Sequence, residues 1–136
     1  MTSEVRGGSQ LRKTLPATLT ALEDFCEEFR TVVELLGQRS YRFVAELLLR
    51  EALTNAVVHG CRNDPSRHIV CVVRLRARRL TIAVQDDGAG FDWRRALQHE
   101  APASCCSGRG FEILRKYSTR FRFNRTGNRT TIVRHF

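Results

Sequence analysis

The chain has 136 residues, 42% of them hydrophobic and 27% charged, which is the composition of one globular domain able to bury its own core. The longest apolar run, Ile69 to Val73, falls far short of the ~20 residues of a membrane span, and MTSEVRGGSQ lacks the apolar stretch of a secretion signal. With a net charge of +9, these features exclude membrane, fibrous and secreted-miniprotein classes and lead us to expect one soluble cytoplasmic domain.

Residues 1–9, which include Gly7-Gly8, read as a flexible N-terminal tail ahead of a single domain over 10–136. Leu11, Lys13 and Leu15 predict a short edge strand ending at Pro16. From Ala17, Leu19, Leu22, Phe25, Cys26, Phe29, Val32, Val33 and Leu36 recur at helical spacing, with Gly37 as the stop. A second helix follows Ser40 through Phe43, Val44, Leu47, Leu48, Ala52 and Ala56 to His59, ended by Gly60. His68 to Arg76 and Leu80 to Asp86 alternate, are rich in Val and Ile, and predict two antiparallel strands about a basic turn. A long loop with a short helical turn near Trp93 to Gln98 comes next. Gly108-Arg109-Gly110 then opens a third helix through Tyr117, and Thr119 to Phe123 and Thr130 to Phe136 form a terminal hairpin. The fold class expected is a two-layer α/β (α+β) sandwich, a mainly antiparallel sheet with helices on one face.

Nearly all the positive charge is arginine, Lys13 and Lys116 being the only lysines. Ordinary surface charge, an acidic protein partner and nucleic acid all accommodate such a balance. The arginines are scattered, and the densest group (Arg74, Arg76, Arg78, Arg79) straddles a turn. No helix carries a continuous basic face and no aromatic-interleaved motif occurs, so an acidic protein is favoured over nucleic acid. Cys26, Cys61, Cys71, Cys105 and Cys106 lack zinc-ligand spacing and read as reduced thiols, Cys105-Cys106 lying in a loop open to oxidation.

Three stretches carry candidate chemistry. Glu51 and Asn55 lie one helical turn apart on one face, either as solvent-facing polar residues or as a functional pair. Asp86-Asp87-Gly88-Ala89-Gly90 follows a strand, either as an ordinary turn or as a loop whose glycines let a ligand approach the backbone. Gly108-Arg109-Gly110 opens a helix, either as a loop exit or as a phosphate site at the dipole's positive end. His59 at the helix end is read as packing or capping there rather than as a metal ligand, because Mg²⁺ prefers oxygen. Trp93 is read as a lid or core anchor.

In this order and spacing the stretches resemble the GHKL ATPase superfamily, and within it the anti-sigma-factor serine kinases of bacterial partner-switching systems. Glu51 to Gly60 (EALTNAVVHG) looks like the N box, Asp86 to Asp92 (DDGAGFD) like the first glycine box, and Gly108-Arg-Gly110-Phe like the second. Thr130-Thr131 looks like the closing Gly-Thr motif, with Arg129 where the family usually has glycine. No P-loop occurs.

The resemblance implies a Bergerat-type ATP-binding fold. It implies that Asp86 accepts a hydrogen bond from the adenine amino group, supported by Thr130, and that Asn55 holds Mg²⁺. Gly88 and Gly90 would allow close nucleotide approach and hinge a lid over residues 92–107. Gly108, Arg109 and Gly110 would meet the phosphates, and Glu51 would be the general base for an attacking serine hydroxyl. The implied activity is that of an anti-sigma factor and ATP-dependent serine kinase. It would sequester a sigma factor, phosphorylate a STAS-type antagonist, and act as a homodimer joined through the N-terminal strand and first helix. The alternative is a catalytically weak or inactive GHKL binding module that switches partners.

Overall fold

The computed structural model describes residues 4–6, 10–35, 41–98 and 109–136. Gly37, Cys105, Cys106 and Gly108 lie outside the described residues. Two strands open the chain, β1 (Glu4–Arg6) and β2 (Gln10–Pro16), paired antiparallel with Val5 opposite Leu11. Residues 4–6 therefore form a strand where a tail was expected, and they occupy the edge that β2 would otherwise leave with unpaired N–H and C=O groups. Lys13 points to the helical side, where its Nζ lies 3.0 Å from Glu28 Oε2.

Helix α1 (Leu19–Leu35) begins where Thr18 Oγ1 accepts the Ala21 N–H at 3.1 Å, an N-cap hydrogen bond. Its buried stripe is Leu22, Phe25, Cys26, Phe29 and Val33, at the three- and four-residue spacing of one helix face. Helix α2 (Arg42–Thr54) buries Ala45, Leu48, Leu49, Ala52 and Leu53 and passes directly into a π-helical turn over Asn55–Gly60. Glu46 bridges the two helices, accepting from Arg30 and lying 3.6 Å from Arg50, which also pairs with Glu23.

Strands β3 (His68–Arg76) and β4 (Arg79–Asp86) form a hairpin around Ala77-Arg78. The short α3 (Trp93–Gln98) and α4 (Arg109–Tyr117) follow, and β5 (Arg120–Phe123) and β6 (Arg129–His135) close the chain. The sheet order is β1-β2-β3-β4-β6-β5, and every pairing is antiparallel. One sheet face is apolar: Leu11, Leu15, Ile69, Cys71, Val73, Leu80, Ile82, Val84 and Ile132 are all buried against the helices. This is the expected two-layer α+β sandwich. The thiols of Cys26, Cys61 and Cys71 are free and buried, and burial pushes Cys26 and Cys61 up to about 11, so they act as small apolar side chains.

Candidate functional site

The site forms where the end of α2 meets the end of β4. In the π turn the Cys61 N–H reaches back five residues to the Ala56 carbonyl at 2.8 Å, a wider winding that often marks functional positions. Asn55, at the junction, has a side chain only 5% exposed whose Nδ2 has no hydrogen-bond partner among the described residues. A buried amide left unpaired is costly unless a ligand completes it. One turn earlier Glu51 is half-buried, and burial pushes its carboxyl above the usual glutamate range, partly opposed by Arg50. Glu51 and Asn55 are thus half-buried and buried rather than solvent-facing.

Asp86, the last residue of β4, is 6% exposed. Its Oδ1 accepts the Gly88 N–H at 2.8 Å, and no cation pairs with it among the described residues. Burial raises its pKa despite that bond. Gly60 and Gly88 make room for this carboxylate: a Cβ on Gly60 would lie 2.2 Å from Asp86 Oδ2, and one on Gly88 would lie 2.1 Å from the Gly60 carbonyl oxygen. Gly60, read from sequence as a helix stop, is therefore a wall of the Asp86 pocket.

Gly90 has φ +84°, and a Cβ there would strike the Thr126 carbonyl oxygen at 1.8 Å. Its lack of a side chain serves the contact with the β5–β6 turn. That turn is organised by Asn124, whose Oδ1 accepts the N–H groups of Gly127, Asn128 and Arg129. Asn128 in turn accepts the Asp86 N–H at 2.9 Å through its carbonyl. Asn124 and Asn128 were missed in the sequence because one organises a turn with its side-chain oxygen and the other acts through its backbone carbonyl.

Aromatic packing ties Phe91 and Trp93 to this centre. His59 stacks on Phe91 with ring centroids 5.6 Å apart, and burial lowers its pKa, so it packs at the helix end. Trp93 stacks on Phe123 and its Nε1–H donates to the Asn124 carbonyl at 2.9 Å, the anchor expected of it. Asp92 Oδ1 accepts the Arg95 N–H and starts α3.

Thr130 is buried on the same sheet face as Asp86, paired with Val84 and Phe123. Arg129, opposite Gln85, is exposed on the other face, so the residue standing in the usual glycine position does not crowd the pocket. Arg109 and Gly110 begin α4.

Together these residues offer a buried acceptor (Asp86), a buried amide awaiting a partner (Asn55) and a carboxylate of raised proton affinity (Glu51). No cluster of three or more His, Cys, Asp or Glu able to hold a metal occurs among the described residues. A hard cation would therefore depend on the Asn55 oxygen and on ligand phosphates, a donor set that suits Mg²⁺.

Comparison with known proteins agrees with the geometry. The anti-sigma F factor of Shouchella clausii is 32% identical over 74 residues, covering 52% of this chain and 51% of the relative. That of Clostridium acetobutylicum is 32% identical over 76 residues, covering 53% and 52%, and that of Anoxybacillus flavithermus is 31% identical over 74 residues, covering 52% and 51%. The chain thus spans about half the length of the curated relatives it matches. Residues 14–134, nearly all of the described structure, match the histidine kinase-like ATPase domain, and the chain belongs to that family.

Proposed function

We propose that this chain is a cytoplasmic anti-sigma factor and ATP-dependent protein serine kinase of the partner-switching type. The observation that carries the reading is Asp86, a nearly buried carboxylate with one backbone donor and room for another. An amino group on the adenine edge satisfies it, whereas the guanine carbonyl at that position repels it, which selects ATP over GTP. The anti-sigma F factors that match half of this chain support the choice of partner system.

Asn55 would hold Mg²⁺ through its side-chain oxygen, and the ion would supply positive charge against the phosphates. Thr130 supports the adenine contact from the same sheet face. Gly88 and Gly90 fix the loop that leads into a lid over residues 92–107, and Gly108, Arg109 and Gly110 present the start of α4 to the phosphates. Glu51 takes the proton from an incoming serine hydroxyl as its oxygen attacks the γ-phosphate; the desolvation that raises its proton affinity suits a general base. The serine belongs to a STAS-type antagonist, and a sigma factor is the sequestered partner of a homodimer joined through β2 and α1.

Phosphotransfer from labelled ATP to a purified STAS antagonist tests the chemistry. Glu51→Gln should lower the rate by about 100-fold or more and leave nucleotide affinity nearly unchanged. Equal rates would remove Glu51 as the base. Tight partner binding without phosphotransfer in the wild type would leave a non-catalytic binding module.

A further inference from the structure

The sheet face turned away from the helices has its own chemistry. Strand alternation and register place Arg12, Arg74, Arg79, Arg120, Arg122 and Arg129 on it, all exposed. Arg76 joins them directly opposite Arg79, a like-charge pairing that disfavours the sheet by itself. Across β2 to β6 this face carries no Asp or Glu; Glu4 of β1 stands in register with Arg12 at its edge, and Asp87 at its rim beside His68. Among the described side chains these guanidiniums form no ion pair; Arg74 alone is held, donating from Nε to Gln10 Oε1 at 3.1 Å.

The middle of the face is different. Val70, Val72 and Ala83 are half-buried cross-strand neighbours that form a small apolar floor, flanked by the half-buried Thr81 and Thr131. Between this floor, Arg12 and Arg129 runs an open groove of about 400 Å³, one end of which reaches Asp86 and Asp87, so the acidic partner is placed over its Arg12 and Val72 end. Among the described residues no helix lies over it.

We infer that this open sheet face is a docking surface for an acidic protein, whose carboxylates meet the arginine rim around an apolar contact on the Val70, Val72 and Ala83 floor. An apolar centre within a rim rich in arginine is the anatomy of a protein interface. Single-stranded nucleic acid requires aromatic stacking platforms, and this face has no Phe, Tyr or Trp. Sheet faces that read duplex DNA insert large apolar wedges between base steps, and the floor of this face carries nothing larger than valine. A second copy docking face to face would bring the same unneutralised arginines against each other, so charge selects a different, acidic partner. The groove ends at Asp86, but the arginines and the valine floor that carry the inference lie on the opposite sheet face from Asn55 and Thr130.

The test uses the full chain and three probes of equal charge: a peptide alternating Glu with Val, poly-L-glutamate and an oligo-dT strand, each titrated by fluorescence anisotropy at fixed salt. The Glu/Val peptide is expected to bind about tenfold tighter than either other probe, an apolar contact being added to the charge. The double variant Arg74→Glu/Arg122→Glu should weaken it about tenfold or more with Mg·ADP affinity and melting temperature unchanged. Val72→Asp should weaken the peptide and spare Mg·ADP as well. Peptide affinity indifferent to these changes would overturn the proposal, as would oligo-dT binding at least as tightly as the peptide. A micromolar dimer dissociated by Val72→Asp in sedimentation would overturn it in favour of a second copy.

Discussion

The Asp86 carboxylate occupies the space in which a side chain on Gly60 would begin, with Oδ2 2.2 Å from that Cβ position. The two residues lie on different elements, one ending the π turn after α2 and the other ending β4. Their fit sets how closely helix and strand converge around the pocket. Gly60→Ala is therefore expected to displace the carboxylate. Denaturant unfolding should show a loss of about 1–3 kcal/mol, and calorimetry should show nucleotide affinity lowered by about tenfold or more. Unchanged affinity would mean that Asp86 is not placed by this contact.

Asp86 also links stability to pH. Burial raises its folded pKa above the ordinary aspartate value of 3.8, so the folded protein binds more protons than the unfolded chain through that window. Its contribution to stability is fully present below the unfolded value and is lost as the pH rises through the folded one. Asp86→Asn keeps an oxygen for the Gly88 N–H and removes the buried charge. At neutral pH it should stabilise the apoprotein by about 0.5–2 kcal/mol, and the gain should shrink as the pH approaches 4. Glu46, whose pKa is lowered first by its hydrogen bond with Arg30, loses stability as the pH falls, but it does so in both proteins and cancels from the difference. Urea midpoints of both proteins between pH 4 and 7.5 check the sign.

The β3–β4 turn holds a strained residue. Ala77 has φ +52°, a conformation that costs an L-residue energy that glycine does not incur. Ala77→Gly should raise the unfolding free energy by about 0.5–1 kcal/mol, with the cost in unfolded-chain entropy already deducted. A lower thermal midpoint would show that the turn relaxes without strain.

The elements were legible in the sequence because their signals are local. The spacing of Leu22, Phe25, Cys26, Phe29 and Val33 specifies one helix face, and the alternation over His68–Arg76 and Arg79–Asp86 specifies a strand pair. β1 was missed because three residues beyond a Gly-Gly pair carry no periodicity; their place comes from the edge of β2. The π turn was missed because it differs from α-helix by a shifted hydrogen bond, and the residues Asn55–Gly60 themselves suit either winding. Glu51, Asn55 and Asp86 stood out through the order and spacing of the three stretches, since helical spacing alone left Glu51 and Asn55 as readily solvent-facing. Gly60 was not legible, since it acts by making room for Asp86 on an element distant in sequence, nor was Asn124, whose side chain organises a turn.

The central claim is that Asp86 makes this an adenine-nucleotide site. Calorimetric titration of the purified chain with Mg·ATP and Mg·GTP, beside the Asp86→Ala variant, tests it most directly. The account predicts micromolar ATP binding, weakened at least about 100-fold in the variant, and GTP binding weaker by a similar factor. Equal affinity for both nucleotides, ATP binding untouched by Asp86→Ala, or no binding by the folded wild type would contradict it.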